Sequence, residues 1–108
     1  MASKQATVDY LVDQIAEAGF IRYQKMFGEY AIYCNDKVVG FVCDDQLYIK
    51  PTDEGRNFLG DPEEAPAYPG SKLYFRISPD QWEDREFMIQ LINVTVSALP
   101  LPKEKKKK

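Results

Sequence analysis

The stretch from residue 21 to residue 50 constrains the fold most, because β-branched and aromatic residues dominate it. Only two short polar breaks interrupt this stretch, Asn35-Asp36 and Asp44-Asp45. Asn and Asp tolerate the positive φ angles that tight two-residue hairpin turns require. The pattern therefore predicts an antiparallel meander. Its strands are expected at about 21–27, 29–34, 37–43 and 46–50.

Helices are predicted on both sides of this strand-rich stretch. Apolar residues recur at helical spacing over residues 4–18, and again from residue 79 to about residue 99. The second helix begins with SPDQ at residues 78–81, which supplies the N-cap serine, the first-turn proline and the glutamine of a capping box. Asp84 offers a second N-cap, so the first turn of this helix can be separate from the rest.

The region between the meander and the last helix is predicted to hold a short helix, a loop and a final strand. Thr52 can cap a helix over residues 52–59, and Gly60 follows it. Residues 60–71 are dense in proline, glycine and acidic residues, which indicates a loop and the most natural place for a site. Residues 72–77 complete the sheet. The order of elements predicts an α+β domain with an antiparallel sheet and helices at both ends.

Regular alternation around the two turns places apolar side chains on both faces of the predicted sheet. In this register Tyr33 faces Val38 and Ala31 faces Gly40. One face then carries Tyr30, Ile32, Cys34, Val39, Phe41, Cys43 and Tyr48. Two helices can cover only the opposite face, so we expect this face, with Tyr30, Ile32, Val39, Phe41 and Tyr48, to be buried against a partner, most simply a second copy. The alternatives are a strongly curved sheet that the helices wrap, and a loop at 60–71 that folds over the second face.

The residue types that most catalytic sites need are scarce. The chain has two cysteines, Cys34 and Cys43, and no histidine. The cysteines lack the usual spacing of a zinc pair, and the predicted register separates them, so we expect two unpaired thiols. Without histidine, Ser-His and Cys-His activation of a nucleophile are excluded. No phosphate-binding or nucleophile motif is present. We therefore expect no enzymatic activity, no cofactor, no metal and no small-molecule substrate.

Charge is distributed unevenly along the chain. The formal net charge is −3, but five of the 14 basic residues lie in the tail at 103–108, so residues 1–102 carry −7. We expect residues 1–102 to form a single domain and the lysine-rich tail to be disordered. An acidic body neutralises phosphates poorly, which makes nucleic acid a weak partner. The absence of a signal peptide or membrane-spanning run favours a cytoplasmic protein that makes no contact with a membrane.

Three segments resemble a known family. They are KMFGEYAIYC at 25–34, LYIKPT at 47–52 and YPGSKLYF at 68–75. These segments are similar to the N-terminal domain of TfoX/Sxy proteins, bacterial regulators of competence for DNA transformation. The resemblance covers about residues 8–99. It implies an α+β domain with a curved antiparallel sheet and no catalytic residues to carry over.

The first of these segments differs from the family pattern at one position. The pattern is a basic residue followed by Met-Phe-Gly-Gly, and here Glu29 replaces the second glycine. The full-length regulators have a second, helical domain, whereas this chain continues into a lysine tail. The chain therefore resembles a stand-alone version of the N-terminal module.

We interpret the sequence as a non-enzymatic protein-interaction module that acts in regulation. The candidate interaction residues are Lys25, Met26, Phe27, Gly28, Glu29, Tyr30, Phe41 and Tyr48. The glycine among them is explained either by a structural corner between two strands or by a loop that holds a ligand. The alternative function is a nucleic-acid-binding accessory module, in which basic residues at strand ends combine with exposed tyrosines.

Overall fold

The described part of the chain folds into one antiparallel sheet with helices from both ends. The structure is a computed structural model that describes residues 4–26 and 29–99. Its elements are α1 (Gln5–Ile15), β1 (Ile21–Met26), β2 (Glu29–Cys34), β3 (Lys37–Cys43), β4 (Gln46–Ile49), α2 (Asp53–Leu59), β5 (Glu63–Pro66), β6 (Leu73–Ile77), α3 (Pro79–Trp82) and α4 (Arg85–Ala98). The strand order is β1-β2-β3-β4-β6-β5, which confirms the predicted α+β class. The predicted corner at Phe27-Gly28 and the tail at 103–108 lie outside the described residues.

Both polar breaks form the tight turns that the sequence predicts. The φ angles are 53° at Asn35 and 69° at Asp36, and 54° at Asp44 and 58° at Asp45. Left-handed backbone at both central residues matches the right-handed twist of the strands that such a turn connects. The turns join β2 to β3 and β3 to β4, so the meander has the predicted connections.

One extra residue in β3 changes the predicted side-chain pattern. Tyr33 pairs with Val38 as expected, but Ile32 pairs with Gly40, so Val39 is an additional residue in the ladder. Ala31 therefore lies opposite Phe41 and not opposite Gly40. A β-bulge of this kind leaves one residue unmatched and shifts the alternation of the strand that contains it.

Because of the bulge, the side chains on the two faces of the sheet differ from those predicted. Tyr30, Ile32 and Val39 were expected on an uncovered face, but they lie in the main core and are at most 3% exposed. Phe41 and Tyr48 pair with each other and lie on the opposite face. The prediction of a broad apolar face that includes all five residues is therefore wrong.

The two cysteines also separate between the faces. Cys34 belongs to the main core, whereas Cys43 packs in a smaller cluster with Tyr48 and Tyr74. Both thiols are buried and free, which confirms the predicted absence of a disulfide between them. The expectation that the two cysteines share a face is wrong, because the bulge at Val39 shifts the alternation of side chains in β3 before Cys43.

The helices form one layer on one side of the sheet. The largest fully buried side chains come from α1, the strands and α4, and include Leu11, Ile15, Phe75, Met88 and Leu91. The short helix α2 belongs to the same layer, because it packs on α4, and the Phe58 and Phe87 rings stack with centroids 5.3 Å apart. No helix in the described ranges is long and apolar enough to cross a membrane.

Local capping fixes the helix starts as predicted. Thr52 Oγ1 accepts a hydrogen bond from the Gly55 N–H at 2.9 Å, and Asp84 Oδ1 accepts one from Phe87 N–H at 3.0 Å. The SPDQ sequence forms its capping box, and α3 is separate from α4. Each cap satisfies a backbone donor that has no partner within its own helix.

The predicted loop at 60–71 contains an additional strand. Residues Glu63–Pro66 form β5 and pair with β6 at the edge of the sheet. Glu63 pairs with Arg76, and Glu64 pairs with Arg56 at 2.6 Å, so side-chain ion pairs accompany the ladder. Pro66 ends the strand, a position that an edge strand tolerates.

Candidate functional site

An open groove of about 970 Å³ lies on the face of the sheet opposite the helices. Phe41, Cys43 and Tyr48 contribute to it from β3 and β4. The complete lining is Glu29, Tyr30, Phe41, Cys43, Asp44, Tyr48, Pro66, Ala67, Tyr68 and Pro69. The groove is therefore mostly aromatic and apolar, with two carboxylates.

The PAYP segment at residues 66–69 folds back over this face of the sheet. Ser71 Oγ accepts hydrogen bonds from the Ala67 N–H at 2.9 Å and the Tyr68 N–H at 3.4 Å. Ser71 N–H in turn donates to the Tyr68 carbonyl at 3.0 Å, and Gly70 has a φ of 87° that suits a tight turn. The region predicted as a loop thus covers part of the second face, as one of the sequence alternatives proposed.

The aromatic rings beneath the groove are already packed. Phe41 and Tyr74 meet edge to face with centroids 5.5 Å apart, and Tyr48 and Tyr74 are buried. Burial, followed by the neighbouring Tyr68 and Cys43, raises the pKa of Tyr74, so it remains a neutral phenol at physiological pH. Tyr68 differs from these rings because 53% of its surface is exposed. It is therefore the ring that an arriving ligand can contact without disturbing the core.

Two carboxylates give the groove a negative potential. The Asp44 N–H donates to both carboxylate oxygens of Glu29, each at 3.2 Å, which ties the start of β2 to the β3–β4 turn. Burial and, after it, the charges of Glu29 and Asp44 raise the pKa of Cys43 to about 11. The thiol is therefore protonated and a poor nucleophile at neutral pH. The same field disfavours anionic ligands and favours cationic ones.

Half of the predicted interaction residues line this groove, namely Glu29, Tyr30, Phe41 and Tyr48. Tyr30 is largely structural, since its hydroxyl donates to Gln5 Oε1 at 3.1 Å and only 3% of it is exposed. Lys25 is exposed on β1 opposite Tyr30. Met26 ends β1, and its side chain, like Phe27 and Gly28, lies outside the described part of the structure.

Sequence reasoning missed the other groove residues by name. Cys43 was expected on the same face as Phe41 and Tyr48 but was not named as a site residue, and Asp44 follows it in the second turn. The PAYP segment had a signal, because residues 60–71 were identified as the natural place for a site. That this segment covers the second face was one of the sequence alternatives, but which of its residues meet the strands depends on how β5 returns along β6.

The arginines and Lys37 are already engaged with other groups within the described part of the chain. All four arginines of the sequence are described, and each lies within 4.0 Å of a carboxylate. The pairs are Arg22–Asp36, Arg56–Glu64, Arg76–Glu63 and Arg85–Asp13. Lys37 Nζ is also engaged, because it donates to the carbonyls of Val96 at 2.9 Å and Leu99 at 3.0 Å. Among residues 4–26 and 29–99 there is also no group of three or more Cys, Asp or Glu placed to hold a metal ion.

These features define a class: a small α+β domain with one helical layer and an open aromatic groove on the other face of its sheet. The sequence matches the TfoX N-terminal domain over residues 13–99, and the chain belongs to that family. The predicted resemblance is therefore confirmed. At the level of the family, this match supports a regulatory, competence-related domain.

A related protein extends the comparison to the whole chain. A protein from Spirochaeta aurantia, described as an uncharacterized 12.7 kDa protein in the trpE 5′ region, is 43% identical over 108 residues. The alignment covers 100% of this chain and 93% of the relative. It therefore includes the residues that follow α4.

Proposed function

We propose that this protein is a non-enzymatic interaction module that acts in regulation by binding an extended segment of a partner protein in the groove. The observation that carries the proposal is the groove itself, in which aromatic side chains and two carboxylates lie together outside the main core. The family supports a regulatory role in general terms. The segment that fits this lining carries lysine or arginine next to apolar residues.

The lining accounts for both parts of that segment. Tyrosine rings provide a large contact area at a small cost in conformational entropy, and their faces attract cations. Tyr68 has the exposure to act in this way, and Glu29 and Asp44 supply the opposite charge. The buried thiol of Cys43 remains protonated, so binding is expected to be non-covalent.

Nucleic acid is disfavoured as the ligand of this groove. Phosphates that enter the groove would lie next to the carboxylates of Glu29 and Asp44, and these like charges repel each other. The arginines already pair with carboxylates, so recruiting them for phosphates would first break these ion pairs. The alternative of a nucleic-acid-binding module therefore receives no support from the described residues.

A selection of random peptides tests the proposal. The full chain should enrich peptides that combine basic and apolar residues, with dissociation constants in the micromolar range that is common for short segments. In ¹⁵N spectra, these peptides should shift the amides of Asp44, Tyr48 and Tyr68. Replacing the exposed groove ring, Tyr68→Ser, should weaken binding about tenfold.

Tyr10→Ser is the matched control, because Tyr10 is 42% exposed on α1 and is not part of the groove lining. It should leave the affinity unchanged. The proposal is wrong if no peptide is enriched, if the shifts map to another surface, or if oligonucleotides bind the groove more tightly than peptides.

A further inference from the structure

The chain itself contains a segment with the chemistry that the groove favours. Residues 98–102 read ALPLP, and residues 103–108 read KEKKKK. Proline-rich segments dock in aromatic-lined grooves, and the five lysines complement Glu29 and Asp44. Residues 100–108 lie outside the described part of the structure, but the alignment with the relative from Spirochaeta aurantia includes them.

The extended length of this segment decides whether it can enter the groove of its own chain or that of another copy. The bond from Lys37 Nζ to the Leu99 carbonyl places the end of α4 beside the start of β3, on the helical side of the sheet. Phe41 lies four residues further along β3, about 13 Å away at the rise of a strand, and on the other face. The three residues from Leu99 to Pro102 span at most about 11 Å.

The same segment would also have to pass around the sheet to change face. This arithmetic disfavours entry of the prolines into the groove of their own chain, whereas the groove of another copy is free of that constraint. A groove and a complementary segment on each chain allow two copies to exchange segments around a two-fold axis, which closes the assembly.

We infer that the C-terminal segment at residues 99–108 of one copy docks in the groove of a second copy. The prolines contact Tyr68 and Phe41, and the lysines lie near Glu29 and Asp44. This inference rests on the proposed function and names the partner of the same docking site. It differs from the dimer expected from the sequence, which buried one sheet face against another.

Complementation between two full-length variants tests this arrangement. Tyr68→Ser impairs the groove and leaves the segment intact, and the double variant Lys103→Glu, Lys105→Glu impairs the segment and leaves the groove intact. Sedimentation should show a wild-type dimer that weakens as salt is added, and each variant alone should dissociate at least tenfold more readily. An equimolar mixture of the two should associate more strongly than either alone, since it contains one intact pair of groove and segment.

Tyr10→Ser again provides the control and should dimerise as the wild type does. Circular dichroism of each variant separates loss of association from loss of folding. The inference is overturned if the wild type is monomeric to about millimolar concentration, if both variants dimerise normally, or if mixing restores nothing. If selected peptides bind the groove of a monomeric wild type, self-docking fails and the proposed function stands. If neither the peptides nor a second copy binds there, both fail.

Discussion

At the scale of single residues, Lys37 shows how one side chain can join the two layers of the domain. Its backbone begins β3, and its ammonium group donates to two carbonyls at the end of α4. These carbonyls belong to the last turn of the helix and to the residue that follows it, where the backbone has acceptor capacity that the helix leaves unused and a partial negative charge. A lysine in this place therefore satisfies hydrogen bonds and opposes the helix dipole at once.

Replacing this lysine should cost measurable stability. We expect Lys37→Met to lower the free energy of unfolding by about 1–2 kcal/mol, because charged hydrogen bonds to partly buried carbonyls are lost. Lys72→Met, at an exposed position, should change it by less than about 0.5 kcal/mol. Urea denaturation measures both. Equal stability of the two variants would show that Lys37 contributes nothing at the helix end.

Gly40 has a steric reason to be glycine. A Cβ atom built there would lie 2.3 Å from the Tyr48 carbonyl oxygen and 3.1 Å from Ile49 Cδ1. The first contact is with the backbone of the neighbouring strand, which cannot move without opening the ladder. Gly40→Ala should therefore destabilise the domain by about 1–3 kcal/mol or prevent folding.

Gly60→Ala is the comparison for Gly40→Ala. Gly60 has open space around it, but its φ of 88° and ψ of −77° lie outside the regions that L residues favour, so Gly60→Ala should show a backbone cost of about 1–3 kcal/mol without any steric contact. Thermal unfolding of both variants makes the test. A Gly40→Ala protein as stable as the wild type would mean that β3 and β4 are not this close.

At the scale of elements, the two hairpin turns have the same backbone but different environments. Asp36 is exposed and only weakly paired, with Arg22 Nε 3.7 Å away. Asp45 instead accepts hydrogen bonds from the Lys4 N–H at 2.8 Å and from Thr7 Oγ1 at 3.1 Å. The second turn therefore also acts as a cap for the start of α1.

This difference predicts opposite effects of the same substitution. Asp36→Gly should raise the free energy of unfolding by about half a kcal/mol, because glycine adopts left-handed backbone without strain. Asp45→Gly should lower the melting temperature, since the links to Lys4 and Thr7 are lost. Scanning calorimetry of the two variants measures both shifts in melting temperature. Two shifts of the same sign would contradict the capping role of Asp45.

The contribution of Asp45 should depend on pH. The hydrogen bond from the Lys4 N–H, followed by that from Thr7, holds the pKa of Asp45 below its usual value. A depressed pKa in the folded state means that the contribution is present above the unfolded pKa of about 4 and is lost as pH falls through the folded value. The difference in melting temperature between wild type and Asp45→Asn should therefore shrink below about pH 4. A difference that stays constant down to pH 2 would exclude this account.

The elements that the sequence predicted well are those with local causes. The turns at 35–36 and 44–45 and the caps at Thr52 and Asp84 depend on residues within a few positions of one another. The bulge at Val39 has no such local signal. It is favoured because it brings Val39 and Val42 of β3, together with Ile32 across the ladder in β2, into the main core beneath the helices. That benefit exists only once α1 and α4 are packed on the sheet.

At the scale of the whole molecule, the site also depends on tertiary packing, so the sequence predicted only part of its lining. Phe41 and Tyr48 were named from the sequence because they are large aromatic residues on strands that were correctly paired with each other. Tyr30 was named for the same reason, but the bulge places it in the core. The PAYP side of the groove required the position of β5, which the sequence did not predict.

Thiol reactivity should report on the opening of the two layers. Cys34 is fully buried in the main core, and burial raises its pKa, so an aromatic disulfide reagent should modify it only after global unfolding. Cys43 lines the groove and is 5% exposed, so it should react sooner, but slowly at pH 8 because its pKa is about 11. In the Cys43→Ser variant, only the slower thiol, that of Cys34, is left to react. Rapid modification of Cys34 under native conditions would show that the main core opens locally.

Packing between α1 and α4 has a consequence for the synthesis of the protein. Arg85 Nη2 lies 3.0 Å from Asp13 Oδ2, and Gln14 donates to the Trp82 carbonyl, so the first and last described helices meet side by side. On the ribosome, the whole meander is made before α4, and the part of its inner surface that α4 covers stays open while residues 50–98 are translated. Hairpins can form in that interval, but closure awaits the final helix. The rate of translation through residues 79–98 therefore sets how long the nascent sheet is open to aggregation or to a chaperone.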